Sequence, residues 1–153
     1  MKNTSMDYRL RGPIRKPSRR ESSSIFSGDP TTLAQYVGCP DPTARCFHVH
    51  KRGDDNPIGF IWIAISNEDF PDLLYVHVDY VYVLPSERNG MAAVLADKVF
   101  AKFRRWANDE RVAEVHSSST AVSPQGARFV GHLNRQLRAW CDEKGLEFVA
   151  TET

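Results

Sequence analysis

Cysteine is scarce in this chain of 153 residues. The three present, Cys39, Cys46 and Cys141, form no CxxC pair and are odd in number. With no secretory pattern at the start, they indicate a reducing, cytoplasmic setting. Each reads first as a small buried hydrophobe. Nowhere does the sequence approach the ~18 consecutive apolar residues that a membrane span needs, so no membrane partner is expected. Net charge is also nearly absent: 20 Lys and Arg against 19 Asp and Glu leave +1. Overall charge therefore gives no match to nucleic acid or to a membrane surface. No Walker phosphate loop occurs, and no nucleophile elbow with a Ser–His–Asp order. Cys46, His48 and His50 alternate along one segment, but no further cluster stands at ligand spacing, and no metal site is expected.

What remains is enough for one domain. Residues 1–28 are set apart by composition. Lys2, Arg9, Arg11, Arg15, Lys16, Arg19 and Arg20 face only Asp7 and Glu21. Tyr8-Arg9-Leu10-Arg11 has the makings of a short edge strand, and the rest is too polar to fold alone. Two readings of this N-terminal arm stand: a flexible, solvated tail, or a basic tail for an acidic partner or nucleic acid. Residues 29–153 form the domain proper.

Asp29 and Pro30 open a short helix carrying Leu33, Tyr36 and Val37, and Gly38 stops it. Residues 45–52, 58–65 and 73–83 read as strands separated by the turn chemistry of 52–57 and 66–72, which predicts an antiparallel meander. The middle strand, IGFIWIAI, is apolar on both sides and so covered on both faces. A helix over 90–106 follows, with Met91, Leu95, Val99, Phe103 and Trp106 in one stripe. A strand over 112–116 makes the next connection a β–α–β crossover, hence a parallel pair. Ser123-Pro124 opens a last helix of about twenty residues, with Val130, Leu133, Leu137 and Trp140 on one face, and 146–150 is a final strand. The expected fold is an α/β sheet, mixed and mostly antiparallel, with helices on both faces.

The most informative stretch is the passage from LLYVHVDYVYV through LPSERNGMAA into VLADKVFAKFRRW. A buried strand meets a helix through a short polar turn, so backbone N–H groups and the positive helix end face whatever lies above it. Val83-Leu84-Pro85, then Arg88-Asn89-Gly90-Met91-Ala92-Ala93, resembles the V-x-P and R/Q-x-x-G-x-G/A motif of the GNAT family of acyl-CoA N-acyltransferases. Met91 stands where the family has its middle glycine, and Ala93 fits the last position. A register shifted by one residue restores Gly90 to that place but puts Glu87 first, where a carboxylate would repel pyrophosphate. A second block, from Asn134 through Trp140-Cys141 to Gly145-Leu146, is similar to the family's N-x-x-A-x-x-L-Y-x-x-x-G-F. Here Cys141 replaces the tyrosine and Leu146 the phenylalanine.

The resemblance covers residues 45–150 and implies a splayed parallel strand pair with acetyl-CoA as co-substrate in the gap. Its pyrophosphate would lie on Arg88, Asn89, Gly90, Met91, Ala92 and Ala93. Val81, Tyr82 and Val83 would supply the bulge backbone that polarises the thioester, and Asn134 would contact the cofactor. Cys141, in the tyrosine position, would protonate the leaving thiolate. An amine of a small molecule or protein would be the acceptor, and the family's habit of dimerising implies a homodimer. From the residues themselves, strand alternation puts His77 and Asp79 on one face of an otherwise apolar strand. Two readings are open there: a base (Asp79, with His77 as helper) or a structural His–Asp hydrogen bond. His116 and the hydroxyls from Ser117 to Thr120 lie where acceptors enter such folds. A rival to the enzyme is a protein of this fold that has lost turnover and serves as a binding module.

Overall fold

A segment as apolar as 57–66 has to be hidden on both sides, and it lies in the middle of the sheet. The computed structural model describes residues 5–14, 44–66, 72–107, 112–119 and 124–150. In it, β3 (Pro57–Ser66) pairs antiparallel with β2 (Ala44–Lys51) on one side and β4 (Leu73–Val83) on the other. β1 (Tyr8–Ile14) lies antiparallel along β2, from Tyr8 opposite Lys51 to Ile14 opposite Cys46. The edge strand is thus longer than Tyr8–Arg11, and residues 8–14 join the sheet instead of standing apart as an arm. Tyr8 and Leu10, packed on the apolar cluster, are what bring them there. The remainder of residues 1–28 beyond this strand and its short lead-in, and the helix expected over 29–38, lie outside the described residues.

α1 (Met91–Ala107) carries the chain from β4 to β5 (Glu114–Ser117), and α2 (Pro124–Lys144) from β5 to β6 (Glu147–Ala150). Both crossovers return to a parallel neighbour, giving the order β1-β2-β3-β4-β5-β6. Two successive crossovers of one hand in one direction put both helices on one face. They pack together there, with Phe103 edge-on to Trp140 at 5.0 Å between ring centroids. Beneath them lie Val49, Ile61, Ile63, Leu74, Val76 and Val115, all buried. The buried stripe of α2 is Phe129, Leu133, Leu137 and Cys141, a strict four-residue spacing. Val130 and Trp140, expected on that stripe, flank it half-buried because a straight helix cannot turn both edges of a wide apolar face fully inward. On the opposite sheet face Cys46, His48, His50, Phe60 and Trp62 are buried as well.

Two backbone demands follow. Gly59 lies opposite Val83, and a Cβ there would stand 2.1 Å from the Tyr82 carbonyl oxygen and 2.9 Å from the Val83 Cα. Only glycine lets β3 approach the end of β4 so closely. Gly59→Ala is therefore expected to cost about 1–3 kcal/mol and to loosen the end of β4. Chemical denaturation measures the first, and amide exchange at Val83 and Leu84 the second.

His50 supplies a pH-dependent term. Burial lowers its proton affinity below the ordinary 6.5, opposed by the bond to the Asp54 carbonyl and reinforced by Arg9 and Arg11. The unfolded chain then binds more protons than the folded one below pH 6.5. Stability is expected to fall as pH drops through that value, and His50→Gln to flatten the slope in urea titrations. An unchanged slope in the variant would assign the effect to other groups.

Candidate functional site

β4 and β5 run side by side for only four residues, Leu73–Val76 against Glu114–Ser117. Beyond that the strands part. The Ser118 N–H donates to the Val76 carbonyl at 3.1 Å, and the Val78 N–H donates to the Ser119 hydroxyl at 2.9 Å. These two bonds turn the chain after β5 across the base of the fork. Among the described residues, β4 then runs on through Val83 with no strand beside it on that flank.

The backbone of β4 beyond the fork has a definite direction. The Leu84 N–H donates to the Ile58 carbonyl, so Leu84 faces β3. The Val83 carbonyl accepts from Arg88 Nε at 2.7 Å, so it faces the other way. By alternation Val81 also aims its N–H and C=O into the gap. Tyr82 lies between them and is turned toward β3. Its ring stacks on Phe60 at 5.9 Å.

The strand irregularity lies earlier than expected. Trp62 pairs with Tyr80 and Ile63 with Val78, which leaves Asp79 as the extra residue of a bulge. The bulge is therefore at Asp79 and not at Val81–Val83. It also breaks the alternation on which a His77–Asp79 pairing rested, because past the bulge every side chain changes face. Val81 accordingly packs with the core, on the face of Val78 and Val83. The side chain of Asp79 lies outside the described residues.

At the open end of the gap, Pro85–Glu87 forms one 3-10 turn, and Arg88, Asn89 and Gly90 lead into α1. Gly90 has φ 71°, a conformation that favours glycine, and the space around its absent Cβ is open. The turn is fixed by Lys51, whose ammonium donates to Glu87 at 2.7 Å; this bond raises the lysine's pKa. Glu87 is thereby held toward β2. Arg88, exposed, folds back to the Val83 carbonyl with its guanidinium 5.6 Å from the Tyr82 ring centroid. Met91 does not obstruct the turn: its side chain is 3% exposed and packed in the core. Ala92 is half-buried and Ala93 exposed. The first turn of α1 carries no acidic residue, so its positive end is not neutralised from within.

Around the fork stand polar groups from three elements. Ser117 donates to the Asn134 side-chain oxygen at 2.7 Å, tying α2 to the end of β5 and fixing which way the Asn134 amide points. His77 Nδ1 lies 3.1 Å from the Ser118 hydroxyl. His116 Nε2 lies 2.6 Å from Glu114, and its ring meets Tyr75 edge-on at 5.5 Å. Glu114 and Ser119 carry no motif. The only sequence signal for the Glu114–His116 pair is their spacing of two on a strand, which puts both on one face.

Cys141 does not join this group. It is fully buried among core residues, and burial pushes its thiol up to about 11. It lies two helical turns, about 10 Å, beyond Asn134, under the part of the sheet where β4 and β5 are still paired. A side chain without a hydroxyl reach, on the inward stripe of α2, packs there instead of opening to the gap. Among the described residues no group of three His, Cys, Asp or Glu gathers to hold a metal, and no helix is long and apolar enough to cross a membrane.

With Cys39 changed to serine, the folded protein is expected to resist thiol reagents at pH 8, since Cys46 is also buried and pushed up to about 12. Both remaining thiols should react on denaturation. Prompt labelling of Cys141 in the native state would return it to the solvent-facing site.

The profile of the Acetyltransferase (GNAT) family matches residues 16–124. No curated protein sequence matches the chain. Among solved structures, the fold is similar to a ribosomal-protein-alanine N-acetyltransferase from Brucella melitensis biovar Abortus 2308. That match has 19% identity and a TM-score of 0.42, and covers 58% of this chain but only 59% of the other. A possible acetyltransferase from Clostridium difficile 630 matches at 11% identity, over 82% of this chain and 74% of that one, with a TM-score of 0.41. An aminoglycoside antibiotic 6'-N-acetyltransferase from Acinetobacter haemolyticus matches at 13% identity, over 97% and 95%, with a TM-score of 0.43. With a family profile spanning most of its length, this chain belongs to the GNAT acetyltransferase family.

Proposed function

We propose that this protein transfers an acetyl group from acetyl-CoA to the amino group of a small molecule or protein. The observation that carries the reading is the fork itself, with the backbone of Val81 and Val83 facing the gap and the positive end of α1, free of acidic residues in its first turn, at its mouth. The residues fit the cofactor's chemistry. Pyrophosphate wants backbone N–H donors, a helix N-terminus and a guanidinium. The open space over Gly90 and the exposed Arg88 supply them. Asn89, Ala92 and Ala93 would border the phosphates, Met91 would contribute its backbone alone, and Asn134 would offer its amide N–H groups to the pantetheine arm.

Acetyl-CoA supplies an activated acyl carbon; the protein's part is placement and proton handling. A C–N bond forms and the C–S bond breaks, so the amine loses a proton and the thiolate gains one. The backbone at the Asp79 bulge is suited to polarise the thioester oxygen. His77, oriented by Ser118, is the base best placed by its position two residues before the bulge. Asp79 is the second candidate.

One observation favours a second reading, a binding protein without turnover. The family's tyrosine position holds Cys141, and the thiol is buried and hard to ionise. The thiolate then has no protein acid at that position. Calorimetric titration with acetyl-CoA and CoA, followed by a thiol-release assay over a panel of amines, separates the two readings. Binding with release supports the enzyme, and binding without release supports the module. No binding in a folded sample would sink both. Arg88→Glu is expected to weaken CoA binding about 10- to 100-fold, and Gly90→Trp to abolish it, with the thermal midpoint of Arg88→Glu unchanged.

A further inference from the structure

The far end of α1 bounds a cavity of about 220 Å³. Its lining includes Lys102, Arg105 and Trp106, which are 11–15 residues, or roughly 16–22 Å, along the helix from Met91. It is therefore distant from the Arg88–Ala93 turn at the start of the helix. Phe47, Ile63 and Ile65 form its floor; all three are buried on the helix-bearing face of the sheet. Trp106, the member of the α1 stripe that is not buried, forms a wall with 37% of its surface exposed.

Among the described residues the charged ones at the rim are Arg45, Lys102 and Arg105, all cationic. The Lys102 ammonium sits 4.9 Å from the centroid of the Phe47 ring, over the apolar floor. Burial lowers the pKa of Lys102, and Arg105 and Lys98 lower it further. Lys98, Lys102 and Arg105 follow at spacings of four and three, so they share one helix face. The helix C-terminus accounts for basic residues in its last turn. It does not account for cations gathered over an apolar hollow, where like charges repel and lose hydration.

We propose that this cavity is a binding site for a small carboxylate with an apolar body, one ring or a short branched chain. The floor and Trp106 take the body, and Lys102, Arg105 and Arg45 take the anionic head. The volume decides the size, since drug-sized ligands occupy ~300–1,000 Å³. The charge decides the head group, since a guanidinium binds carboxylate in bidentate fashion.

The probe is 4-(trifluoromethyl)benzoate, followed by fluorine NMR with the full chain and saturating CoA present. The control is 4-(trifluoromethyl)benzamide, of equal shape and no charge. The benzoate is expected to bind, the amide about tenfold or more weakly, and Lys102→Met with Arg105→Gln to weaken the benzoate about 10- to 100-fold without moving the thermal midpoint. Arg45→Gln alone should give a smaller loss. Equal binding of amide and benzoate, benzoate binding insensitive to these variants, displacement by CoA, or no binding would each overturn the proposal.

Discussion

The parting of β4 from β5 after four paired residues is the constraint on which the rest depends. A parallel pair left to itself would go on pairing, since every unpaired N–H and C=O costs free energy when removed from water. Here Ser118 and Ser119 consume the partners that would extend it, one through its backbone and one through its hydroxyl. The result is a strand whose second flank, among the described residues, has no strand beside it. On its other flank the same strand is laddered to β3, and Gly59 permits their close approach at its end.

Most of the architecture was legible in the sequence because its signals are local. Apolar runs of the right length, turn-forming stretches between them, and one long stripe from Met91 to Phe103 leave little choice of element or order. The strand–turn–helix passage was legible for the same reason. Met91 stands at the first helical position, where its side chain turns into the core and leaves its backbone at the turn.

The features that were not legible all depend on contacts between distant residues. The bulge at Asp79 is a mismatch of count between β3 and β4, and nothing within VHVDYVYV marks it. Its consequence is large, since it moves Val81 from the His77 face to the core face. Cys141 was read from its place in a motif, whereas its environment is set by Leu133, Leu137 and the sheet beneath. The cation cluster at the C-terminal end of α1 belongs to no motif. Only folding brings Arg45 from β2 to join Lys102 and Arg105 over an apolar floor.

The outermost parallel pair bears on how the chain is made. β6 reaches β5 only after the 21 residues of α2. During synthesis β5 is therefore a bare sheet edge until that helix has emerged and docked. Such an edge is a template for pairing with other nascent chains. At four residues it is short enough to offer them little. The brevity that opens the fork on one flank of β5 thus also shields the chain from aggregation on the other.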